Sequence, residues 1–382
     1  MTVTPPDLLL GSPRLHDSSD PALPGLRRAI AQGRDAALRE LTRWRGDFAL
    51  GISDGQGRVL LAVDRFAQQT ICYALTGTAL RFAERADAVL PGAPLCTQAL
   101  FDYLYFHVIP SPRTVFEGVR RLPAGHALWF ENGRAELLRY WTPQFHPQSA
   151  PRFEALRDEF RGLLKTATAR QLDGHAPACF LSGGTDSSTV AGMLREVSGQ
   201  APRSYSIGFD AQGYDEMAYA RIAAKAYGCE HHEYYVTPDD LLAGIPPAAR
   251  HHDQPFGNSS ALPAYYCALR AKEDGVGKLL AGDGGDELFG GNARYAKQRV
   301  FGVYDAVPRL LRSGLLEPLF FNRVAAGLPG LKKAHSYIEQ AREPLPERME
   351  MYNLLLRLGL PQVLTPRFLA LIDAQGPRKE QR

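Results

Sequence analysis

Cysteine is scarce in this chain: five thiols, Cys72, Cys96, Cys179, Cys229 and Cys267, lie scattered through 382 residues, and no two form a CxxC pair. An odd number without close spacing argues against a disulfide framework or a cysteine-rich zinc site, and fits reduced thiols in a cytoplasmic protein. Histidines do pair, but His231-His232 and His251-His252 are adjacent, and adjacent side chains cannot converge on one ligand as an i, i+4 pair on a helix can. No apolar run approaches the length of a membrane span, and Met1 to Leu10 lack the basic start and long apolar core of an export signal. Neither sign of charge dominates. The 44 basic and 41 acidic residues leave a net charge of +3, too weak a field to imply nucleic acid or a membrane as partner. Basic clusters such as Arg113, Arg120 and Arg121, or Lys332 and Lys333, are expected on solvated faces. No internal repeat is present.

What is there is an ordinary globular composition, 45% hydrophobic and 22% charged, in a chain long enough for two domains. Its most informative stretch is Leu181-Ser182-Gly183-Gly184-Thr185-Asp186-Ser187-Ser188. The apolar run from Pro177 to Leu181 reads as a buried strand, and Val190, Met193, Leu194 and Val197 recur at helical spacing after it. Adjacent glycines let backbone approach a ligand closely, and amides at a helix start point outward with partial positive charge. Such a turn suits a phosphate chain. Ser182, Ser187 and Ser188 add hydroxyl donors, and a carboxylate beside phosphates, Asp186, makes sense if it holds a divalent cation.

Residues 1 to about 95 read as a small β-rich domain: a short strand at Leu8 to Leu10, one helix over Leu26 to Leu41, then strands at 48–53, 58–63, 70–75 and 79–83. Asp54-Gly55-Gln56-Gly57 marks the clearest hairpin. Segment 96–150 reads as a connector, with a helix at 97–107 and strands at 127–130 and 137–141. From Pro151 the second domain begins with an amphipathic helix over 153–171, Leu156, Phe160, Leu163 and Leu164 on one face. Strands at 177–181, 203–209, 232–236 and 278–281 alternate with helices at 188–197, 214–227, 238–249 and 261–272, the pattern of a doubly wound parallel sheet. Beyond Tyr295 the chain is helical, over 304–320 and 346–358, and Gly376 to Arg382 reads as a solvated tail.

A second cluster follows the strand at 278–281. Asp283, Asp286 and Glu287 crowd a glycine-rich turn that starts at Gly282, and carboxylates so close repel one another unless a cation sits among them. An acidic first turn of a helix is the alternative. Paired with Asp186 at another strand end of the same sheet, a magnesium shared by Asp186 and Asp286 is the expectation.

These residues resemble the synthetase domain of the asparagine synthetases, a group that also takes in the β-lactam synthetases and lasso-peptide cyclases. Leu181 to Ser188 is similar to that family's pyrophosphate loop and Ser206-Ile207-Gly208-Phe209 to its next strand. Tyr214-Asp215-Glu216, Asp253-Gln254-Pro255-Phe256 with Ser259-Ser260, and Gly282 to Gly291 resemble its YDE, DxPF…SS and GDGxDELFGG stretches. Arg121-Leu122-Pro123-Ala124-Gly125-His126 and Arg139-Tyr140-Trp141 resemble its interdomain connector. Gly46 to Leu50, Asp64-Arg65-Phe66 and Leu80 to Glu84 stand where its glutaminase domain, an N-terminal-nucleophile fold, has GxFA, RDRFG and LxFASE.

The resemblance implies a mixed α/β protein. Its parts are a degenerate, partial Ntn-hydrolase-like domain over 1–95, a connector over 96–150, and a synthetase-like domain over 151–382. The last is a doubly wound parallel sheet of the pyrophosphate-loop ATPase, adenine-nucleotide α-hydrolase type, with a C-terminally incomplete helical extension. It implies an ATP- and Mg²⁺-dependent ligase that activates a small carboxylate, aspartate or an analogue, as an acyl-adenylate for attack by ammonia or an amine. Ser182, Gly183, Gly184, Ser187 and Ser188 would hold the β- and γ-phosphates, Asp186 and Asp286 the metal, and backbone at Leu181, Ile207 and Gly282 the adenine. Asp283 would sit beside the nucleotide or the acceptor, a catalytic position with Asp286. Two departures accompany the likeness. The glutaminase nucleophile is a cysteine at the mature N-terminus, whereas Met1 is followed here by Thr2. The family's later lysine has no counterpart, Lys332 and Lys333 standing in a different context. Slow amide formation by the chain alone, and a second polypeptide completing the site, are therefore expected. The competing readings are a non-catalytic fragment of a split amidotransferase and another pyrophosphate-loop enzyme, such as a tRNA sulfurtransferase.

Overall fold

The computed structural model describes residues 7–16, 22–146, 152–172, 174–210, 215–320, 322, 327–328, 330–345, 347–350 and 353–380. Met1, Thr2, Pro151, Tyr214 and Arg382, named above, and position 346 of the expected helix lie outside the described residues. The chain forms two compact units, one of Met1–Pro147, His252–Gly257 and Asn353–Arg382, the other of Gln148–His251 and Asn258–Tyr352. No helix among the described residues is long and apolar enough to cross a membrane.

In the first unit, β1 (Leu8–Gly11), β4 (Phe48–Ser53), β5 (Val59–Val63), β9 (His126–Glu131) and β10 (Arg134–Arg139) form an antiparallel sheet in the order β1-β4-β5-β9-β10. A second antiparallel sheet runs β7 (Ala79–Ala83), β6 (Cys72–Thr76), β8 (Arg120–Arg121), and β2 (Arg14–Leu15) pairs with β3 (Trp44–Arg45). Every residue of β5 is buried, so its sequence Val-Leu-Leu-Ala-Val shows no alternation. The reason is that both faces are covered: Leu60 and Ala62 pack with Leu26, Ile30 and Leu41 of the helices, while Leu61 and Val63 pack with Tyr73 and Leu80 of the second sheet.

The helix expected over 26–41 is two, α1 (Ala22–Gln32) and α2 (Arg34–Arg43), because Gly33 between them adopts φ +112°. Strands of the segment expected as a connector complete both sheets: β9 pairs with β5 and β8 with β6. Residue 95 thus falls inside this unit. Helices α3 (Ala86–Val89) and α4 (Thr97–Phe106) complete its N-terminal part. The expected basic surface is partly engaged in ion pairs, Arg113 with the buried Asp102 and Arg121 with Asp253. Chain from Asn353 onward packs here too, Leu355 against Phe101 and Tyr105 of α4. Gly376–Glu380 is helical and Pro377 buried, so the expected solvated tail is folded onto the unit through 380.

In the second unit, β11 (Ala178–Phe180), β12 (Arg203–Phe209) and β13 (Glu230–Val236) are parallel in that order. The expected strand at 278–281 contracts to a parallel bridge between Leu280 and Cys179, with Phe180 N–H donating to Leu280 O at 3.0 Å and Leu280 N–H to Ala178 O at 2.9 Å. This places residue 280 across β11 from β12. From β11 the chain steps outward through α6 (Thr185–Ser198), β12, α7 (Met217–Tyr227) and β13. It then crosses back through α8 (Pro238–His251) and α9 (Ala261–Glu273) to the far side of β11. The reversal beside β11 is the switch point where such sheets bind ligands. Helices cover both faces: Ala191 of α6 and Ala220 of α7 pack with Cys179 and Leu181, whereas Cys267 and Ala271 of α9 pack with Tyr205. The apolar face of α5 (Phe153–Ala169) stays exposed at Leu156, Phe160 and Leu163, and Phe160 stacks edge-on against Phe289.

Candidate nucleotide site

The first loop is held from below by the sheet. Leu181 N–H donates to Tyr205 O at 3.0 Å, and the Ser206 hydroxyl donates to Leu181 O. Gly183 then turns with φ +82°, and a Cβ there would lie 2.4 Å from the Ala220 amide nitrogen of α7, so only glycine fits. Gly184 caps α6, which begins at Thr185, three residues earlier than expected. Thr185, Asp186, Ser187 and Ser188 therefore form its first turn. Ser188 N–H bonds back to Gly184 O at 3.1 Å, whereas the earlier amides of the turn have no intrahelical acceptor and point outward. The two serine hydroxyls organise the mouth: Ser182 Oγ and Ser187 Oγ are 3.0 Å apart, Ser187 Oγ accepts from Ser182 N–H at 3.1 Å, and Ser182 Oγ accepts from Gly184 N–H at 3.3 Å.

The second loop leads from Leu280 into the short helix α10 (Gly285–Phe289), with Gly284 at φ +90°. Its glycines do what sequence reasoning did not foresee, which is to make room for carboxylates. A Cβ on Gly285 would lie 2.3 Å from Asp186 Oδ2, one on Gly282 2.8 Å from Asp186 Cβ, and one on Gly291 2.3 Å from Asp286 Oδ1. Asp186 thus bridges the two loops in van der Waals contact.

Between them lies a cleft of about 390 Å³ lined by Ser182, Asp186, Ser187, Gly282, Asp283 and Asp286, together with Phe180, Ala264 and Glu287 among others. Of the expected residues, four stand behind the lining. Leu181 is buried beneath the loop, Gly183 abuts α7, and Gly184 and Ser188 belong to the turn itself. Ile207 lines a separate cavity of about 270 Å³ with Tyr205, His232 and Arg270. The Leu181 amide, spent on Tyr205, is not open to an adenine edge. Glu287 and Ala264 are additions; Glu287 could have been read from its place in the acidic run, Ala264 carries no signal. A wider hollow of about 1100 Å³ in the first unit holds Arg34, but that side chain is already paired with Asp35 and Glu136.

No lysine or arginine is among the described residues lining the cleft, while Asp186, Asp283, Asp286 and Glu287 all reach it. Phosphates and these carboxylates share a site only with cations between them. Among the described residues no three His, Cys, Asp or Glu side chains gather closely enough to hold a metal unaided. Two carboxylates completed by phosphate oxygens and water are what magnesium takes, so the donor set of Asp186 and Asp286 fits it. The adjacent histidines part as strand geometry requires, His231 to Ser204 and His232 stacked on Tyr205.

The buried thiols are chemically quiet. Burial pushes Cys179 and Cys267 up to about 12 and raises Cys72 as well. At pH 8 a thiol with pKa about 12 is thiolate on the order of 10⁻⁴ of the time. The native chain should accordingly leave these three unmodified by a chromogenic disulfide over minutes, with full reaction only in denaturant. Rapid native labelling of Cys179 would contradict the packing beneath the loop. The sign of the linkage follows: folded values above the ordinary 9 give stability intact below pH 9 and lost as pH rises toward about 12.

A family model described as Asparagine synthase matches residues 159–364, and one described as Glutamine amidotransferase domain matches residues 31–141. The chain is 26% identical over 312 residues to "Asparagine synthetase (glutamine-hydrolyzing) 1" of Bacillus subtilis, covering 80% of this chain and 48% of that protein. It is 28% identical over 326 residues to "Putative asparagine synthetase (glutamine-hydrolyzing)" of Mycobacterium tuberculosis, covering 81% and 48%. The chain thus spans about half the length of the curated relatives it matches. Among solved structures, NMN synthetase from Francisella tularensis aligns at a TM-score of 0.29 and 15% identity, over 54% of this chain and 96% of that one, too loosely to carry an argument.

Proposed function

Because this chain belongs to the asparagine synthase family, we propose that its second unit binds Mg-ATP between the two loops and activates a small carboxylate for amide formation. The observation that carries the proposal is the meeting of Asp186 with Gly282 and Gly285 at the sheet's switch point, which joins a phosphate-binding turn to an acidic loop. A carboxylate is a poor acyl donor because oxide is a poor leaving group. Attack of its oxygen on the α-phosphorus forms an acyl–phosphate bond and breaks the bond to pyrophosphate; ammonia or an amine then adds to the acyl carbon and AMP departs.

Each group of the chain has a part in that sequence. The outward amides of α6 and the Ser182 and Ser187 hydroxyls bind the β- and γ-phosphates and hold them as charge develops on pyrophosphate. Asp186 and Asp286 would hold magnesium, which supplies charge neutralisation at the leaving group. Asp283 lies exposed in the cleft, where it orients the acceptor or the ribose. Gly282 offers backbone to the adenine. The first unit, two stacked antiparallel sheets with helices outside one of them, is read as a degenerate glutaminase-like, Ntn-type unit. The nitrogen then comes as free ammonia, an amine or from a second polypeptide, and the protein acts in the cytoplasm. The sulfurtransferase alternative needs a reactive thiol, and the burial of Cys179 and Cys267 argues against one beside the loops.

The experiment is exchange of labelled pyrophosphate into ATP with a panel of amino acids and other carboxylates. The reading expects exchange that requires both magnesium and one carboxylate, with AMP as product. ADP and phosphate in place of AMP would overturn it.

A further inference from the structure

Within the first unit, three arginines gather with no acid between them. Arg14 of β2 and Arg45 of β3 are direct cross-strand partners, as are Leu15 and Trp44. Side chains alternate across a strand, and Trp44 is buried in the core with Leu15 packed beside it. Arg14 and Arg45 therefore share the opposite face, and like charges directly across a ladder disfavour it. Arg65 meets Arg45 at the end of α2: Arg45 Nη1 donates to Thr42 O at 2.8 Å, and Arg65 Nη2 donates to the same carbonyl at 3.5 Å.

All three side chains belong to half-buried residues and are poorly supplied with acceptors. A guanidinium carries five N–H donors. Arg45 Nη1 also reaches Trp44 O at 2.8 Å, Arg65 Cζ lies 5.3 Å from the centroid of the Trp141 ring, and the described residues offer the Arg14 side chain no partner. Acids adjoining them are spent elsewhere. Asp47 accepts from Gln69 Nε2 at 3.0 Å, and the buried Asp64 accepts from the amides of Phe48, Phe66 and Gln69 at 3.2, 2.9 and 3.1 Å. Burial, and after it Arg45, lower the Arg65 guanidinium from its ordinary value, the direction expected of a cation without a counter-ion. The last turn of α2 supplies a partial answer, but a helix end carries only about half a negative charge, less than one guanidinium needs.

We propose that Arg14, Arg45 and Arg65 together bind a phosphate group. A carboxylate would bring a single negative charge to three guanidiniums, whereas a phosphate group brings about −1.5 to −2 near neutral pH, with three strong acceptor oxygens. Guanidinium forks match that geometry. Phe66, 64% exposed and edge-on to Trp141 at 5.4 Å, adjoins Arg65 and offers a ring to an aromatic ester. The inference goes beyond the nucleotide reading and does not rest on it, since the residues of that site belong to the second unit.

Arg14→Gln is the variant that disturbs the fold least, because the Arg14 side chain holds no other described group in place. Calorimetry with inorganic phosphate at low salt, with a chelator to keep magnesium from the nucleotide loops, should show saturable binding to the native chain. Arg14→Gln and Arg65→Gln should each weaken it about tenfold or more, as loss of a charged hydrogen bond does. Ser182→Ala should leave it unchanged. Phosphate should also raise the melting temperature of the native chain and not that of Arg14→Gln. Phenyl phosphate separates the two sources of the anion: affinity equal to that of phosphate assigns the free ion, and tighter binding that Phe66→Ala removes assigns an ester. No saturable phosphate binding, or binding that Arg14→Gln leaves intact, overturns the site. Binding lost in Ser182→Ala and kept in the arginine variants would assign phosphate to the nucleotide loop and overturn it too.

Discussion

Gly183→Ala is expected to be the most damaging single substitution in the second unit. The new Cβ would meet the Ala220 amide nitrogen at 2.4 Å, and the residue would have to hold φ +82° without glycine's freedom. Neither neighbour can yield easily, because one is the backbone of α7 and the other is the turn that aims the amides of α6. Left-handed strain and forced overlap together cost roughly 2–5 kcal/mol, a large share of a typical domain's stability. Urea unfolding of the variant should show the loss directly. A midpoint within error of the native protein would mean that α7 does not back the loop. Gly199→Ala, with nothing within 4 Å and a comparable φ of +67°, isolates the contribution of strain from that of overlap.

The second large effect concerns charge. Asp186→Asn and Asp286→Asn should each weaken Mg-ATP binding by about 1–3 kcal/mol, or roughly 5- to 150-fold, because each removes an anionic ligand from a cleft whose cation must come from solution. The losses should not add. Two ligands of one ion are coupled, so the double variant should bind hardly more weakly than the worse single one. Calorimetry reads all four proteins. Strict additivity would place the carboxylates on separate ions, and full affinity in both single variants would remove them from the site.

How much of this was legible in the sequence varies with the reach of the forces involved. The strand, turn and helix of the first loop could be read because they are local: apolar Pro177 to Leu181, two glycines, then helical spacing. The parallel order could be read from alternation of strand and helix. The split of the first helix at Gly33 was missed because a glycine inside an apolar pattern is tolerated as often as it breaks a helix. Strand 278–281 shrank to the bridge at Leu280, and none of its four residues is fully buried, so the short apolar run was weak evidence for a strand. Arg121 was read as solvated because nothing local to it names Asp253, more than a hundred residues away. The roles of Gly282 and Gly285 were also beyond local reading: each is small because Asp186, distant in sequence, needs the space. The return of 353–380 onto α4 had no local signal at all, only leucines whose partners Phe101 and Tyr105 lie far upstream.

One nucleotide site built by two loops is tested most directly by where a bound nucleotide reacts. An ATP analogue with a photoreactive group on its γ-phosphate, irradiated on the native chain in the presence of magnesium and mapped by peptide mass, should label 181–188 and 282–289, with labelling lost to excess ATP or to chelation. Competed label on the cavity of Tyr205, His232 and Arg270, or anywhere in the first unit, with 181–188 and 282–289 unmarked, would contradict it.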